Sequence, residues 1–321
     1  MTQISSSTKF INRPFGLGGS DIAALLGLSP FKTALELWFE LVGRTTNEDR
    51  DLLHLRFGQH AESFIAKEYE RRTGLHTHLH PQTIFHPQHD YMYGHIDRFV
   101  TDGIDRDFSW KPGIQSTRIL ECKTASVFNR SEWGEDGSSE MPAAYLLQCA
   151  WYMAVTDCDE ADLAALIGNN DFRIYHLKRD KELEQLVLEH AHKFWHEHVL
   201  AKSPPPASSA TDAQLLFPKE SKDSNLEVTP EMLQTLKEYT EKSAQIKTMT
   251  SECDRLKAEI LCYMGEAEKL TRSGKTIATW KCAKASQRID TKAFAQAHPD
   301  IAANFTSSVL GARRFLVKEM S

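Results

Sequence analysis

Two short apolar runs with charged residues set inside them constrain this chain more than any other feature. They are Tyr91-Met-Tyr-Gly-His-Ile-Asp97-Arg-Phe-Val100 and Arg118-Ile-Leu-Glu121-Cys-Lys123-Thr124. Each reads as a strand, and the Asp- and Gly-rich stretch 101–115 between them reads as the wide loop of a hairpin. Side chains two apart in a strand share a face, so Glu121 and Lys123 point into one site while Cys122 points away. The same rule places His95 on the face of Asp97. Two carboxylates, Asp97 and Glu121, beside a lysine suit a hard divalent cation and a water that must be oriented or deprotonated for phosphodiester hydrolysis. Taken alone, Glu-x-Lys is equally an ion pair on a strand face, so the surrounding residues decide.

Three further segments surround the pair in chain order: Arg13-Pro-Phe-Gly-Leu-Gly-Gly-Ser20-Asp21, then Phe57-Gly58-Gln-His-Ala-Glu62 opening a helix, then Tyr145-Leu-Leu-Gln148-Cys-Ala-Trp-Tyr152. The glycine run 16–19 lets backbone approach an anion closely. Ser20 suits the N-cap of an apolar helix over 22–26, whose positive end then faces a phosphate. Arg13 has the fork geometry that phosphate accepts. A glycine-rich helix start is also a plain structural device. Gln148 and Tyr152 lie one turn apart in an amphipathic helix over 145–155, where Leu146, Leu147, Ala150, Met153 and Ala154 are available for burial. A glutamine in such a helix is ordinarily exposed.

In this order and at these intervals the segments resemble the YqaJ-type viral recombinase family, the phage lambda exonuclease branch of the PD-(D/E)xK nucleases. The resemblance spans roughly residues 10–200. It implies an α/β fold, the restriction-endonuclease-like core with a central mixed sheet flanked by helices, and a site at the sheet edge where Asp97 and Glu121 emerge. By the same resemblance, Asp97 and Glu121 are the principal metal carboxylates and the backbone carbonyl of Cys122 is a further ligand. Lys123 positions the attacking water, and Glu62 reaches a metal directly or through water. Gln148 is similar to the family's glutamine beside the scissile phosphate, Tyr152 lines the same face, and Ser20 and Arg13 match the pair that holds a terminal 5′-phosphate. The family usually has Pro-Asp-Gly at the aspartate. Here Ile96-Asp97-Arg98 keeps the carboxylate but lacks the tight-turn glycine, leaving the end of the strand open.

The activity implied is a Mg²⁺-dependent exonuclease, with Mn²⁺ substituting, that resects double-stranded DNA ends 5′→3′ for a partner single-strand annealing protein. A homo-oligomer, commonly a trimeric ring, and a cytoplasmic location in a bacterial host carrying phage or prophage genes are implied with it. Two other readings compete: a structure-specific or restriction-like endonuclease using the same site, and a non-catalytic DNA-end-binding subunit. Asp97, Glu121, Lys123 and Glu62 together weigh against the last, because a dead copy has no physical reason to keep groups so costly to desolvate.

Composition fits an intracellular enzyme. With 321 residues, 41% of them hydrophobic, there is material for two domains and a sizeable core. No apolar run is long enough to span a membrane, and the start Met-Thr-Gln-Ile-Ser-Ser-Ser lacks a signal-peptide core. The six cysteines show no Cys-x-x-Cys spacing and read as reduced, mostly buried thiols rather than a disulfide or iron–sulfur set. His76, His78 and His80 alternate, His86 and His89 follow, and His192 and His196 are one turn apart. None comes with a third ligand at a familiar zinc spacing, so solvated faces are expected. The net charge of −6 is unevenly placed: residues 271–321 hold nine Lys/Arg against three acids, leaving the first 270 residues strongly acidic. A basic end on an acidic body suits an enzyme that moves along DNA, or is simply a soluble surface.

The Pro/Ser-rich stretch 203–226 is read as a linker between a nuclease domain, 1–202, and an accessory domain, 227–321. Before it, 180–198 forms a helix with Leu183, Leu186, Val187, His190 and Phe194 at helical spacing. After it, Pro230 opens a long helix to about Met264. Along that helix Ile246, Met249, Cys253, Leu256 and Ile260 step by threes and fours, as in a helical hairpin, a short coiled coil or a plain packed core. A strand over 275–281, an Asp290-capped helix over 291–297 and a last strand over 313–318 complete the expectation.

Overall fold

The computed structural model describes residues 14–43, 53–103, 108–111, 118–222, 224–285, 289–307 and 313–318. The chain divides into two compact units, Met1–Leu216 and Phe217–Ser321.

In the first unit the short helix α1 (Ile22–Leu25) leads to α2 (Ala34–Leu41), and α3 (Leu53–Thr73) follows. A capping box starts α2: Thr33 Oγ1 accepts from Glu36 N at 3.1 Å, and Glu36 Oε2 accepts from Thr33 N at 2.8 Å. Strands β1 (His76–His78), β2 (Ile84–His86), β3 (His89–Gly94), β4 (Arg98–Thr101) and β5 (Arg118–Ala125) come next. Helix α4 (Ala143–Thr156), β6 (Glu160–Ile167), β7 (Asp171–Lys178), α5 (Lys181–Phe194) and α6 (Ala210–Leu216) complete the unit. The main sheet has the order β1-β4-β5-β6-β7. Only β5 and β6 are parallel, and α4 is the helix in the crossover between them, as a parallel pair requires. The sheet is therefore mixed, and it carries a hydrophobic core on each face.

Alternation along the central strands sorts side chains between these cores. Ile119 of β5 and Ala161, Leu163, Ala165 and Ile167 of β6 join the larger core, built with Leu147, Trp151 and Val155 of α4. Leu120, Cys122 and Ala164 face the other way, against Ala61, Ile65, Ala66 and Tyr69 of α3. Glu121 and Lys123 thus follow Ile119 onto the α4 side, and Cys122 is buried toward α3, as expected from the period of two.

Several expectations need correction. The run 91–100 is not one strand. β3 pairs with β2 in a separate sheet, β4 pairs with β5, and His95, Ile96 and Asp97 form the passage between the sheets. His95 consequently shares no strand face with Asp97; its Nε2 lies 2.9 Å from Thr83 Oγ1. The site lies on the central strand β5, not at a sheet edge. The stretch 203–226 is not linker throughout, because α6 folds within it and Asp212 is buried, accepting from Thr33 Oγ1 at 2.8 Å. In α5, Leu186 and His190 face solvent, and the buried side is Val187, Ala191 and Phe194. Three cysteines are buried (Cys122, Cys149, Cys158) and three exposed (Cys253, Cys262, Cys282), all as free thiols.

In the second unit α7 (Pro230–Met264) begins at an N-cap Thr229, whose Oγ1 accepts from Met232 N at 3.3 Å. A hairpin of β8 (Lys269–Arg272) and β9 (Lys275–Thr279) turns at Ser273 and Gly274, with φ of +51° and +78°. The first of these strands has too little apolar alternation to stand out in the sequence. Helices α8 (Thr291–Ala297) and α9 (Pro299–Asn304) follow, with Pro299 opening the second helix as well as ending the first. Residues 313–318 pair with no strand. No helix among the described residues is long and apolar enough to cross a membrane.

Candidate active site

The site forms where β3 hands over to β4. Gly94 ends β3 against the ring of Tyr152, where a Cβ would come within 3.0 Å of Cδ1. Continuing the β4–β5 register, in which Arg98 opposes Leu120, brings Asp97 level with Glu121. Asp97 Oδ2 accepts from the backbone N–H of Cys122 at 2.8 Å, fixing one carboxylate to the strand that bears the other. Arg98 stands where the resemblance leads one to expect glycine. Its guanidinium donates to the Asp97 carbonyl and reaches Ser63 Oγ at 3.5 Å, so it braces the passage that a tight turn would otherwise shape.

Glu121 is buried. Its Oε1 accepts from Gln148 Nε2 at 2.7 Å and pairs with Lys123 Nζ at 2.5 Å, whereas its Oε2 is buried with no hydrogen-bond partner. An unpartnered buried carboxylate oxygen costs on the order of a few kcal/mol unless a ligand completes it. Gln148 donates also to Tyr152 OH at 3.0 Å, and the Lys123 ammonium sits 5.3 Å from the Tyr145 ring centroid. One face of α4, at intervals of three and four, therefore holds Glu121 and Lys123 from above. Gln148 is buried, not exposed as its helix alone suggests.

Electrostatics follow from this crowding. Burial first, then the charge of Asp97, pushes Glu121 up to about 8, against the pull of Lys123. Glu62, on α3, is raised to about 7 by burial and by Asp97, with Arg98 and Lys123 opposing. Burial also raises Asp97, against Lys123, the Cys122 N–H and Arg98. For Lys123, burial disfavours the ammonium, but Glu121 and Asp97 outweigh it and hold the pKa above its ordinary value. The site is an excess of carboxylate around one firmly protonated lysine.

Among the described residues no group of three or more His, Cys, Asp or Glu side chains is placed to hold a metal ion, so a site built on three such ligands is not formed. The donors present fit a different kind of ion. Mg²⁺ keeps several waters and is held through one or two carboxylates, which matches Asp97 with the open Oε2 of Glu121.

Of the expected phosphate pair, Ser20 does not cap the helix as the sequence implies. Arg13 lies outside the described residues. Ser20 is exposed and sits within a 3-10 turn, Gly19–Asp21, whose N-cap is Gly18; the capping carboxylate is that of buried Asp21, which accepts from Gly18 N at 2.9 Å. The glycines serve close packing. A Cβ on Gly16 would lie 2.3 Å from the Tyr91 carbonyl oxygen, and one on Gly19 would lie 2.5 Å from Tyr152 Cε1. The segment docks on β3 through Leu17 N to Tyr91 O at 2.7 Å and Tyr93 N to Leu17 O at 3.0 Å. Ser20 is thereby tethered one residue from the ring of Tyr152.

Sequence reasoning passed over Arg98 and Tyr145. The departure from Pro-Asp-Gly signalled the first, and the three-residue step back from Gln148 signalled the second. The histidines gather by ring contacts: His86 and His89 stack at 5.0 Å, and His192 and His196 meet at 4.2 Å.

Residues 11–159 match the family model of the YqaJ-like viral recombinase domain. Among individual proteins, YqaJ of Bacillus subtilis (strain 168) is 28% identical over 326 residues, covering 100% of this chain and 96% of its own length. The crystal structure of an alkaline exonuclease from Laribacter hongkongensis is 16% identical, with a TM-score of 0.46 over 59% of this chain and 90% of that one. A phage-related exonuclease from Haemophilus somnus 129PT is 15% identical, with a TM-score of 0.39 over 59% of this chain and 96% of that one.

Proposed function

We propose that this chain is a metal-dependent deoxyribonuclease with a PD-(D/E)xK core, resecting double-stranded DNA ends 5′→3′ for recombination by single-strand annealing. The observation that carries the reading is the pairing of Asp97 and Glu121 with an open buried Oε2 on Glu121, beside the protonated Lys123. The recombinase-type domain over residues 11–159 supports the recombination setting.

Asp97 and Glu121 hold Mg²⁺ in this reading, with the Cys122 carbonyl as a further ligand and Glu62 reaching the ion directly or through water. The bound ion supplies Lewis-acid polarisation of the phosphoryl oxygen and a more acidic water. Gln148 orients Glu121 by taking Oε1, which leaves Oε2 for the ion. Lys123 acts as a fixed positive charge that positions the attacking water; its strongly held proton makes it a poor base. Tyr152 fixes the amide of Gln148 and lines the substrate face. Ser20, with Arg13, receives the terminal 5′-phosphate.

The test is end-labelled linear duplex and covalently closed circular duplex incubated with Mg²⁺. Mononucleotide release from linear DNA, faster from 5′-phosphorylated than 5′-hydroxyl ends, is the expected result. Cutting of closed circles would favour the endonuclease reading, and binding to ends without turnover the non-catalytic one.

A further inference from the structure

Helix α7 carries an apolar seam that the described residues leave uncovered. Ile246, Met249, Cys253, Leu256, Ile260 and Tyr263 recur at strictly alternating steps of three and four. Ile246 and Met249 are 65% exposed, Leu256 44%, Ile260 48% and Tyr263 81%, and Cys253 is exposed as well. One heptad earlier the same register falls on Tyr239, whose ring already meets Phe315 of its own chain at 5.6 Å, so the open seam begins at Ile246.

A free helix repeats every 3.6 residues, and a seam held to 3.5 turns steadily toward one partner only if that partner is a helix wound on the same repeat. With Ile246 at position a, Ile260 is also at a and Leu256 at d, the combination that favours two parallel strands. The flanking charges choose the direction. Glu252 falls at g and Lys257 at the following e, which face each other between two parallel chains in register. Neither makes an ion pair within the chain among the described residues. An antiparallel pair would set g against g, bringing Glu252 and Glu259 toward their like.

We infer that residues 246–263 pair with the same segment of a second copy of this chain as a parallel, in-register two-stranded coiled coil. The inference is independent of the nuclease reading. In this pairing the two Cys253 thiols meet across the axis, within disulfide reach, while Cys262 at position c faces outward.

The full-length chain decides it. Bearing C262S and C282S and oxidised with diamide, it should run as a covalent dimer on a non-reducing gel; bearing C253S and C282S it should not. Light scattering of the untreated chain should give an even multiple of the chain mass, and Leu256→Glu, a solvent-facing change that the helix itself tolerates, should halve it. Lys257→Glu should weaken the dimer, and combining it with Glu252→Lys should restore it. A mass that Leu256→Glu leaves unchanged, whether of a monomer or of an assembly built on another surface, overturns the inference. Cross-linking through Cys262 in place of Cys253 overturns it too.

Discussion

At the scale of residues, the site is a store of unfavourable carboxylate charge that a cation would relieve, and pH should expose this. Glu121 titrates at about 8 and Glu62 at about 7, both raised first by burial and then by Asp97, from an ordinary 4.5. Between those limits the folded chain holds protons that the unfolded chain has released. The metal-free protein should therefore lose stability as pH rises from about 5 to about 8, and Glu121→Gln should flatten that slope. Denaturant unfolding of the unaltered chain and of Glu121→Gln in a chelator, at both ends of the window, measures it; equal slopes in the two would contradict the crowded site. The same protons must leave when a cation binds, so Mg²⁺ affinity should increase over the same range. Lys123→Ala should reduce turnover by ~10²–10⁴ with DNA binding kept, as for a group that only positions the water. That Glu121 and Lys123 share a face was legible in the sequence because the period of two along a strand is rigid, whereas Asp97 lies in the passage before β4, where that period does not apply. The burial of Gln148 was not, since it depends on β5 bringing a carboxylate to meet the amide.

At the scale of elements, most helices and the β4–β5 pairing could be read from periodicity and caps: Asp180, Asp290 and Thr229 each accept from the first turn they begin. The break at 95–97 could not, because nothing local in an apolar run reports a change of sheet. The passage instead depends on distant partners, the 14–18 segment lying on β3 and Tyr152 lying beneath Gly94. This makes Gly16 a sensitive point. An alanine there would place its Cβ 2.3 Å from the Tyr91 carbonyl, a backbone atom with no rotamer to yield. Gly16→Ala should cost ~1–3 kcal/mol by overpacking and displace the segment that presents Ser20. Gly103→Ala, with nothing within 4 Å, should stay within about 0.5 kcal/mol and serve as the control. Equal melting temperatures for the two variants would mean that the segment does not dock on β3 as described.

At the scale of the whole molecule, the question is where the first unit ends. Composition places the break in the proline run, but the physical break comes later. Asp212 is fully buried, and its carboxylate accepts from Thr33 Oγ1, Ser208 N and Ser208 Oγ, each at 2.8 Å, so α6 is bound to the start of α2. A chain cut near 203 would remove Asp212 and with it the acceptor of the Thr33 hydroxyl, which also caps α2. A chain cut after Leu216 would keep them. The longer fragment should fold with the stability of the first unit and keep Mg²⁺-dependent nuclease activity. The shorter one should be weaker by ~1–3 kcal/mol for the partners it leaves unpaired. Within the basic end, Lys281 is ion-paired with Glu268, which offsets one of its nine positive charges. Salt dependence resolves the share of that end in DNA binding: removing the second unit should lower the log–log slope by about one for every phosphate that unit neutralises. Should the chain ending at Leu216 be folded but inactive on DNA ends, the second unit would be part of the catalytic apparatus, and the division of labour drawn at that residue would fail.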